Sequence, residues 1–356
     1  MNKKKTVFVA MSGGVDSSVA ALLLIKQGYN VIGAYMKCWI GLPTSHGYKF
    51  QQQCTWRQDR RDAYQVAAKL KIPIVTFDFT KEYYRDVIKN FFYEHKLGNT
   101  PNPDVLCNKY IKFGVFLKQA QKRGADFIAT GHYVRKIGKD LYEAKDKNKD
   151  QSYFLWALTE QQVGKSIFPV GGLLKSEVRA IAKKYNLSTA NKKDSQGLCF
   201  VGNISIPEFL SAKINQKTGS VITTRGEVIG THRGLAFYTI GQRHGLRIAS
   251  RLPYYVVKKD LKNNTLIVAS GQSDSALFSS EIKITNASWI SKPPALKKIY
   301  TARIRYRQPK QKIKFIGKVG RYYNYKFFQP QRAVTPGQSL VLYEKQKMLG
   351  GGIISA

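Results

Sequence analysis

The feature that most constrains this chain is its opening. An apolar run, Thr6–Met11, ends abruptly in Ser12-Gly13-Gly14-Val15-Asp16-Ser17-Ser18 and passes directly into a stretch with helical spacing, Val15–Gln27 (Val19, Leu22, Leu23), closed by Gly28. A continuous apolar run of this length predicts a strand buried on both faces, which needs helices packed on either side of it. Two adjacent glycines let the backbone turn tightly and bare its N–H groups. The helix that follows adds positive partial charge at its N-terminus, and Ser17 and Ser18 add hydroxyls. A pyrophosphate matches that surface. The absence of a Gly-Lys-Ser/Thr ending excludes the loop type that grips β- and γ-phosphates through a lysine.

The same alternation continues for about 200 residues. Val31–Met36 and Ile74–Phe79 read as further strands, Arg57–Leu70, Lys81–Glu94 and Ile111–Arg123 as helices, and Phe127–Thr130 as a strand. Leu174–Tyr185 is one more amphipathic helix, with Ser176 and Glu177 near its start. This order predicts an α/β fold with a parallel sheet covered on both faces. After Gly202 the texture changes. Gly226, Gly230, Gly234, Gly241 and Gly245 punctuate short β-branched or aromatic runs, Ser270–Ser275 resembles a linker, and Ile299–Tyr306, Ile313–Val319 and Ser339–Tyr343 resemble strands of a second β module. The expected domains are 1–202 (α/β), 203–274 (small, β-rich) and 275–356 (β).

Charge points to the partner. The 356 residues carry 59 Lys+Arg against 22 Asp+Glu, a formal +37, which concentrates polyanions, nucleic acid foremost. The segment Ser291–Arg332 holds thirteen Lys/Arg and no acid, interleaved with Tyr306, Tyr322, Tyr323 and Tyr325, a pattern suited to phosphate contact and base stacking. Thr6–Met11 is too short for a signal segment, and nothing later reaches the about 18 apolar residues of a membrane span. A soluble, cytosolic protein with reduced thiols and no membrane partner is expected. Four cysteines without a CxxC pair predict neither a disulfide scaffold nor a structural metal site.

Two of those cysteines sit in informative places. In Thr100-Pro101-Asn102-Pro103-Asp104-Val105-Leu106-Cys107-Asn108-Lys109, two prolines stiffen a loop and a helix is expected to start near Asp104. Cys107 then lies in its first turn, where the helix N-terminus and Lys109 favour the thiolate. Asp104, three residues earlier, faces the same side and can exchange a proton. Taken alone, Cys107 reads first as a small buried hydrophobe. Cys199, in the polar string Lys193–Gly202 at the change of texture, is poorly placed for packing. Two thiols in two accessible loops beside a pyrophosphate loop point to sulfur chemistry.

The string Ser-Gly-Gly-Val-Asp-Ser resembles the PP-loop of the ATP-pyrophosphatases, which adenylate a substrate and release pyrophosphate. That resemblance implies that Ala10, Met11, Ser12, Gly13, Gly14, Val15, Asp16 and Ser17 hold ATP, with Asp16 near the nucleotide and its Mg²⁺, and that Met36 and Gly131 border the adenosine. Over nearly its full length the chain is similar to the tRNA-specific 2-thiouridylase family. The matching strings are the PP-loop, Thr100–Lys109, Ala129–Tyr133, Lys149–Leu155, Lys193–Gly202, Tyr238–Arg243, Arg305–Arg307, Val334–Gln338 and Leu349–Ile353. Tyr110 departs from the Glu expected there.

The family resemblance implies a PP-loop domain, a small central β domain and a C-terminal β-barrel that touches tRNA. It implies ATP-dependent 2-thiolation of the wobble uridine, with Cys107 as nucleophile and Asp104 as acid/base. Cys199 would carry a persulfide from a sulfur-relay protein or cysteine desulfurase, and a Cys107–Cys199 disulfide would close the cycle. Asn102, Pro103 and Asp104 would line the base pocket, and His132, Lys149, Asp150, Gln151, Arg305, Tyr306 and Gln338 would contact tRNA. Each of these last seven has a structural alternative: a satisfied histidine, a solvated turn, an exposed strand residue. An iron–sulfur cluster on Asp104, Cys107 and Cys199 is the competing chemistry.

Overall fold

Five parallel strands, Thr6–Ala10 (β1), Asn30–Lys37 (β2), Ile74–Asp78 (β3), Phe127–Ala129 (β4) and Ser166–Ile167 (β5), lie in the order β3-β2-β1-β4-β5. The structure is a computed structural model describing residues 4–45, 47–52, 54–193, 204–246, 248 and 251–355. Strand β1 is central, and its side chains alternate between two cores. Val7 and Val9 pack with Val15–Lys26 (α1) and Trp56–Leu70 (α2), while Phe8 and Ala10 face Phe77, Ile111 and Phe116 on the other side. The second face is covered by helix α3 (80–96) and helix α4 (103–122), each wound for part of its length as a π-helix, over Tyr84–Ile88 and Cys107–Val115. Lys175–Lys184 (α5) packs beside α1.

The chain then builds two β modules, as the change of texture predicted. Gly219–Thr223 (β6), Val228–His232 (β7), Tyr254–Asp260 (β8) and Thr265–Ser270 (β9) form a sheet in the order β7-β6-β9-β8. Six further strands close into a barrel: Phe278–Trp289 (β10), Ile299–Arg303 (β11), Gln311–Val319 (β12), Tyr322–Arg332 (β13), Ser339–Glu344 (β14) and Lys347–Ile354 (β15), with β10 pairing β15. Strand alternation overturns the sequence reading of one tyrosine: Tyr325 lies in the barrel core at 1% exposure and Tyr323 packs on Trp289 and Phe315, so the aromatics of β13 are not all offered to a ligand.

The barrel is joined to the α/β domain in a way the sequence did not reveal. A hairpin from the first domain, Arg135–Ile137 and Asp140–Tyr142, extends the barrel sheet by pairing Leu141 and Tyr142 with Met348 and Lys347. Beside it Arg303 reaches Asp150 (2.7 Å) and Glu143 (2.8 Å), and Lys310 reaches Glu143 (2.9 Å). Both acids are almost wholly buried, and Arg303 is the one cation paired with Asp150 among the described residues, so deleting Arg303 leaves an uncompensated charge there, at a cost of about 3–5 kcal/mol.

Buried neutral histidines make the assembly acid-sensitive. His95 packs on Phe91 and donates from Nδ1 to the Ala236 carbonyl of the central module at 3.1 Å, and burial pushes its pKa down to about 4. Burial likewise lowers His132 and His232. Unfolding frees all three to take up protons below their ordinary 6.5, which the native state resists. Stability is therefore complete above pH 6.5 and falls on acidification, with His95 alone removing roughly 3 kcal/mol by pH 4. Melting temperatures measured from pH 7.5 down to 4.5 are expected to fall, and His95→Gln to flatten the decline.

Candidate functional site at the carboxyl edge of the sheet

The loop after β1 is held by its two glycines in different ways. Gly13 has φ +74°, and a Cβ there would lie inside the Asp59 carbonyl of α2. Gly14 is extended and begins α1 without any side-chain cap. The serines turn away from the helix end: Ser17 Oγ and Ser18 Oγ donate to the Gly14 carbonyl at 3.1 and 2.8 Å, and Ser12 N donates to Ser17 Oγ at 3.2 Å. The first N–H groups of α1 are thus left to an anion. Gly131, after β4, lies against this turn, where a Cβ would meet Ser17 N at 2.7 Å. Ala10, Met11, Val15 and Met36 are buried around it.

Asp16, in the first turn of α1, is clamped from two elements. Tyr133 Oη donates to it at 2.7 Å, and Lys175 Nζ, from the start of α5, reaches both oxygens at 2.7 and 2.8 Å. Lys175 is 12% exposed, so its charge answers to Asp16 in a partly dry setting. Sequence reasoning missed Lys175; its only signal was its position at the start of an amphipathic helix. It also missed Lys192, which holds Asp59 (2.7 Å) and Asp62 (2.5 Å) on α2, beside Gly13. Cys199 and its neighbours 194–203 lie outside the described residues. The chain that leads to them departs from this Lys192 anchor, next to the phosphate loop.

Helix α4 begins where the prolines predicted. Asn102 is extended, Pro103 occupies the first turn, and Asp104 is half-buried. Cys107 opens the π-helical stretch, within which Gly114 is needed because a Cβ would meet the Lys109 carbonyl at 2.8 Å. The expected accessible thiol is not found: Cys107 is 0% exposed, enclosed in the core that includes Val105 and Ile111. Its neighbour Asn108 donates to the Phe154 carbonyl at 3.1 Å and leaves Oδ1, also buried, without a hydrogen-bond partner. Tyr110 is exposed under the Lys109 ammonium, 5.1 Å from its ring.

The residues expected at tRNA fall into two groups. Three are built into the scaffold around the loop. His132 is buried with Nδ1 2.8 Å from Thr130 Oγ1, Asp150 meets Arg303 and the Ala144 and Ser152 amides, and Gln151 Oε1 accepts from Tyr133 N at 2.9 Å. Lys149 is half-exposed beside them. The others lie in the barrel module, and one of them ties it to the segment before α4. Gln338 Nε2 donates to the Thr100 and Pro101 carbonyls at 2.9 and 3.3 Å, and Thr100 N donates to Pro336 O at 2.9 Å. Tyr306 packs 4.5 Å from the Phe154 ring, and Arg305 Nη2 donates to Ala333 O at 2.6 Å and to Thr335 Oγ1. The turn Pro336–Gln338 therefore fixes the segment that leads into Asn102 and Cys107.

Three family models match in chain order: a tRNA methyl transferase HUP domain over residues 5–203, a tRNA methyl transferase PRC-barrel domain over 207–270 and an aminomethyltransferase beta-barrel domain over 279–354. Fold and site thus define a three-module protein whose HUP-type domain carries a glycine turn and a bare helix N-terminus at the carboxyl edge of its sheet. The tRNA-specific 2-thiouridylase MnmA of Pseudomonas fluorescens strain Pf0-1 is 48% identical over 365 residues, covering 99% of this chain and 95% of that protein. The protein of the same name from Actinobacillus succinogenes is 46% identical over 364 residues, covering 99% and 92%. The chain belongs to the tRNA-specific 2-thiouridylase family. Among solved structures, NMN synthetase from Francisella tularensis is 17% identical with a TM-score of 0.34, over 55% of this chain and 67% of that one.

Proposed function

We propose that this protein replaces O2 of the tRNA wobble uridine by sulfur, using ATP to activate the oxygen and a cysteine persulfide to supply the sulfur. The observation that carries the reading is the uncapped N-terminus of α1, with Asp16 and Lys175 beside it, on the same edge of the sheet as the start of α4 and Cys107. Helices that lead down into parallel strands begin at the carboxyl edge, where ligands of open α/β sheets bind.

The uridine is turned out of its stack into a pocket formed by Asn102, Pro103 and Asp104. Its O2 attacks the α-phosphorus of ATP, and pyrophosphate leaves into the N–H groups of the Gly13-Gly14 turn. Mg²⁺ supplies charge neutralisation on the phosphates. The residues fit an ion that arrives with ATP: Asp16 is one carboxylate, which suffices when phosphates and water supply the other oxygens, and no cluster of three ligating side chains is present among the described residues. Lys175, held on Asp16, is poised for the departing pyrophosphate.

The sulfur step balances in two ways. The terminal sulfur of the Cys199 persulfide attacks C2 and expels AMP, leaving Cys199 joined to C2 through that sulfur. Cys107 thiolate then attacks Cys199 Sγ, so the Cys107–Cys199 disulfide forms as the older S–S bond breaks and the outer sulfur stays on C2 as the thiocarbonyl. Alternatively, Cys107 thiolate attacks the Cys199 sulfur first, forming the Cys107–Cys199 disulfide and releasing hydrosulfide, which then displaces AMP. Either route leaves a disulfide that a dithiol reductant must return to two thiols. Asp104 serves as proton acceptor or donor. The persulfide comes from a sulfur-relay protein or a cysteine desulfurase, and a reducing cytosol suits the resting thiols. No helix among the described residues is long and apolar enough to cross a membrane.

The family models carry a methyl transferase description, so methylation is the second reading. An adenylating loop and a pair of cysteines serve thiolation and have no use in methyl transfer. Mass spectrometry of tRNA nucleosides from cells lacking the protein decides between them. Loss of 2-thiouridine derivatives is expected, whereas a missing methyl group with thiolation intact would overturn the proposal. Iron analysis after anaerobic purification tests the cluster alternative, and no iron is the expected result.

A further inference from the structure

Helix α2 turns two different faces to its surroundings. Asp59 and Asp62 point toward Lys192 and the phosphate loop, and are taken up there. Trp56, Arg60 and Tyr64 follow one another at four-residue spacing along a second stripe, with Arg57 and Arg61 beside them. Together these five residues line an open groove of about 410 Å³. All three arginines are exposed, and none pairs with a carboxylate among the described residues.

The aromatic rings hold the cations in place. Arg57 Cζ lies 5.5 Å from the Trp56 ring, Lys37 Nζ lies 5.0 Å from the same ring, and Arg60 Cζ lies 5.0 Å from Tyr64. Arg60 Nε also donates to Thr76 Oγ1 at 3.2 Å, an oxygen shared with Tyr64 Oη at 2.9 Å. Lys37 is partly offset by Asp78 at 3.0 Å, so the groove keeps a net positive charge. Cation–π contact and these hydrogen bonds restrict long side chains before any ligand arrives, which lowers the entropy lost on binding. Arginine forks held this way present paired donors to a phosphate.

We propose that this groove binds the phosphodiester backbone of the tRNA while the wobble uridine is in the site; the inference rests on tRNA being the substrate. The stripe from Trp56 to Tyr64 rises about 12 Å along α2, enough to meet more than one phosphate. Charge decides for RNA over an acidic protein: the chain carries +37, and a polyanion relieves the mutual repulsion of three neighbouring arginines. The N-terminus of α2 stands at the carboxyl edge, on the opposite face of the sheet from α4. An RNA touching both passes over the phosphate loop, so the contact clamps nucleotides flanking the one that reacts.

The test is a titration of full-length tRNA transcript against the wild type and Arg57→Gln/Arg61→Gln at several KCl concentrations. Each phosphate contact contributes a log–log slope of about −0.7 to −0.9, so the wild type is expected to be steeper than about −3 and the double variant shallower by about 1.4 to 1.8. Binding of ATP alone and the melting curve are expected to stay unchanged, and Arg57→Lys/Arg61→Lys to recover most of the slope. An unchanged slope overturns the proposal. So does an unchanged slope with slower sulfur uptake from a donor protein, which makes the groove a protein-docking site. A wild type that neither binds tRNA nor forms thiouridine overturns the functional reading, and the groove's role with it.

Discussion

Cys107→Ser and Cys199→Ser enzymes are expected to form no 2-thiouridine, yet to differ at one observable step: the Cys107 variant still accepts labelled sulfur from a donor, and the Cys199 variant does not. The reason is chemical. A serine hydroxyl cannot form a persulfide, so removing the carrier stops loading, whereas removing the nucleophile stops only the step after loading. Adenylation depends on the phosphate loop and the uridine oxygen, so tRNA-dependent pyrophosphate release is expected from both. Because Cys107 is fully buried, a serine there brings a hydroxyl into an apolar core at a cost of about 1–3 kcal/mol if it finds no partner. Cys107→Ala, which removes the thiol without adding a polar group, separates loss of chemistry from loss of fold. Mass spectrometry of the two peptides after incubation with donor reads the result. Label on Cys107 with none on Cys199 would reverse the two roles, and thiouridine from either variant would remove that cysteine from the mechanism.

Asp16→Asn is expected to lower tRNA-dependent pyrophosphate release by 100-fold or more with the melting curve preserved. The asparagine keeps the shape and can still accept from Tyr133 Oη, so what is lost is the negative charge beside Lys175 and the phosphates. Preorganised charge at a reacting phosphate is worth about 3–4 kcal/mol, which sets the size of the loss. Lys175→Met is expected to cost a similar factor. If Lys175 acts only by holding Asp16, the double variant is no worse than either single one; if it also meets pyrophosphate, the two losses multiply in part. Normal pyrophosphate release from folded Asp16→Asn protein would show that the loop is misassigned.

The loop after β1 was legible because its requirements are local: a strand end, a glycine where a side chain has no room, and a helix start all fall within a few consecutive residues. The start of α4 was legible for the same reason, since Pro103 marks a first helical turn wherever it occurs with that spacing. Lys175 was not, because nothing near it in the chain reports that Asp16, 159 residues earlier, lies against it. Gln338 was expected at tRNA, with a turn residue after Pro336-Gly337 as the alternative, and only the docking of barrel on helix shows that it holds Thr100 and Pro101.

Within the acid-free stretch Ser291–Arg332, packing separates cations that composition counts alike. Arg303 and Lys310 are consumed by buried Glu143 and Asp150, and Arg305 is half-buried against backbone carbonyls, while the groove on α2, in a less conspicuous segment, keeps its arginines exposed. By itself the sequence determined the order of modules, the parallel sheet and the phosphate loop, because hydrophobic period, glycine and proline act through neighbouring residues. The tertiary structure alone decided which charges are spent and which are offered, and whether Cys107 meets solvent. Burial and ion pairing are set by residues far apart in the chain, which only the packed fold brings within a few ångströms.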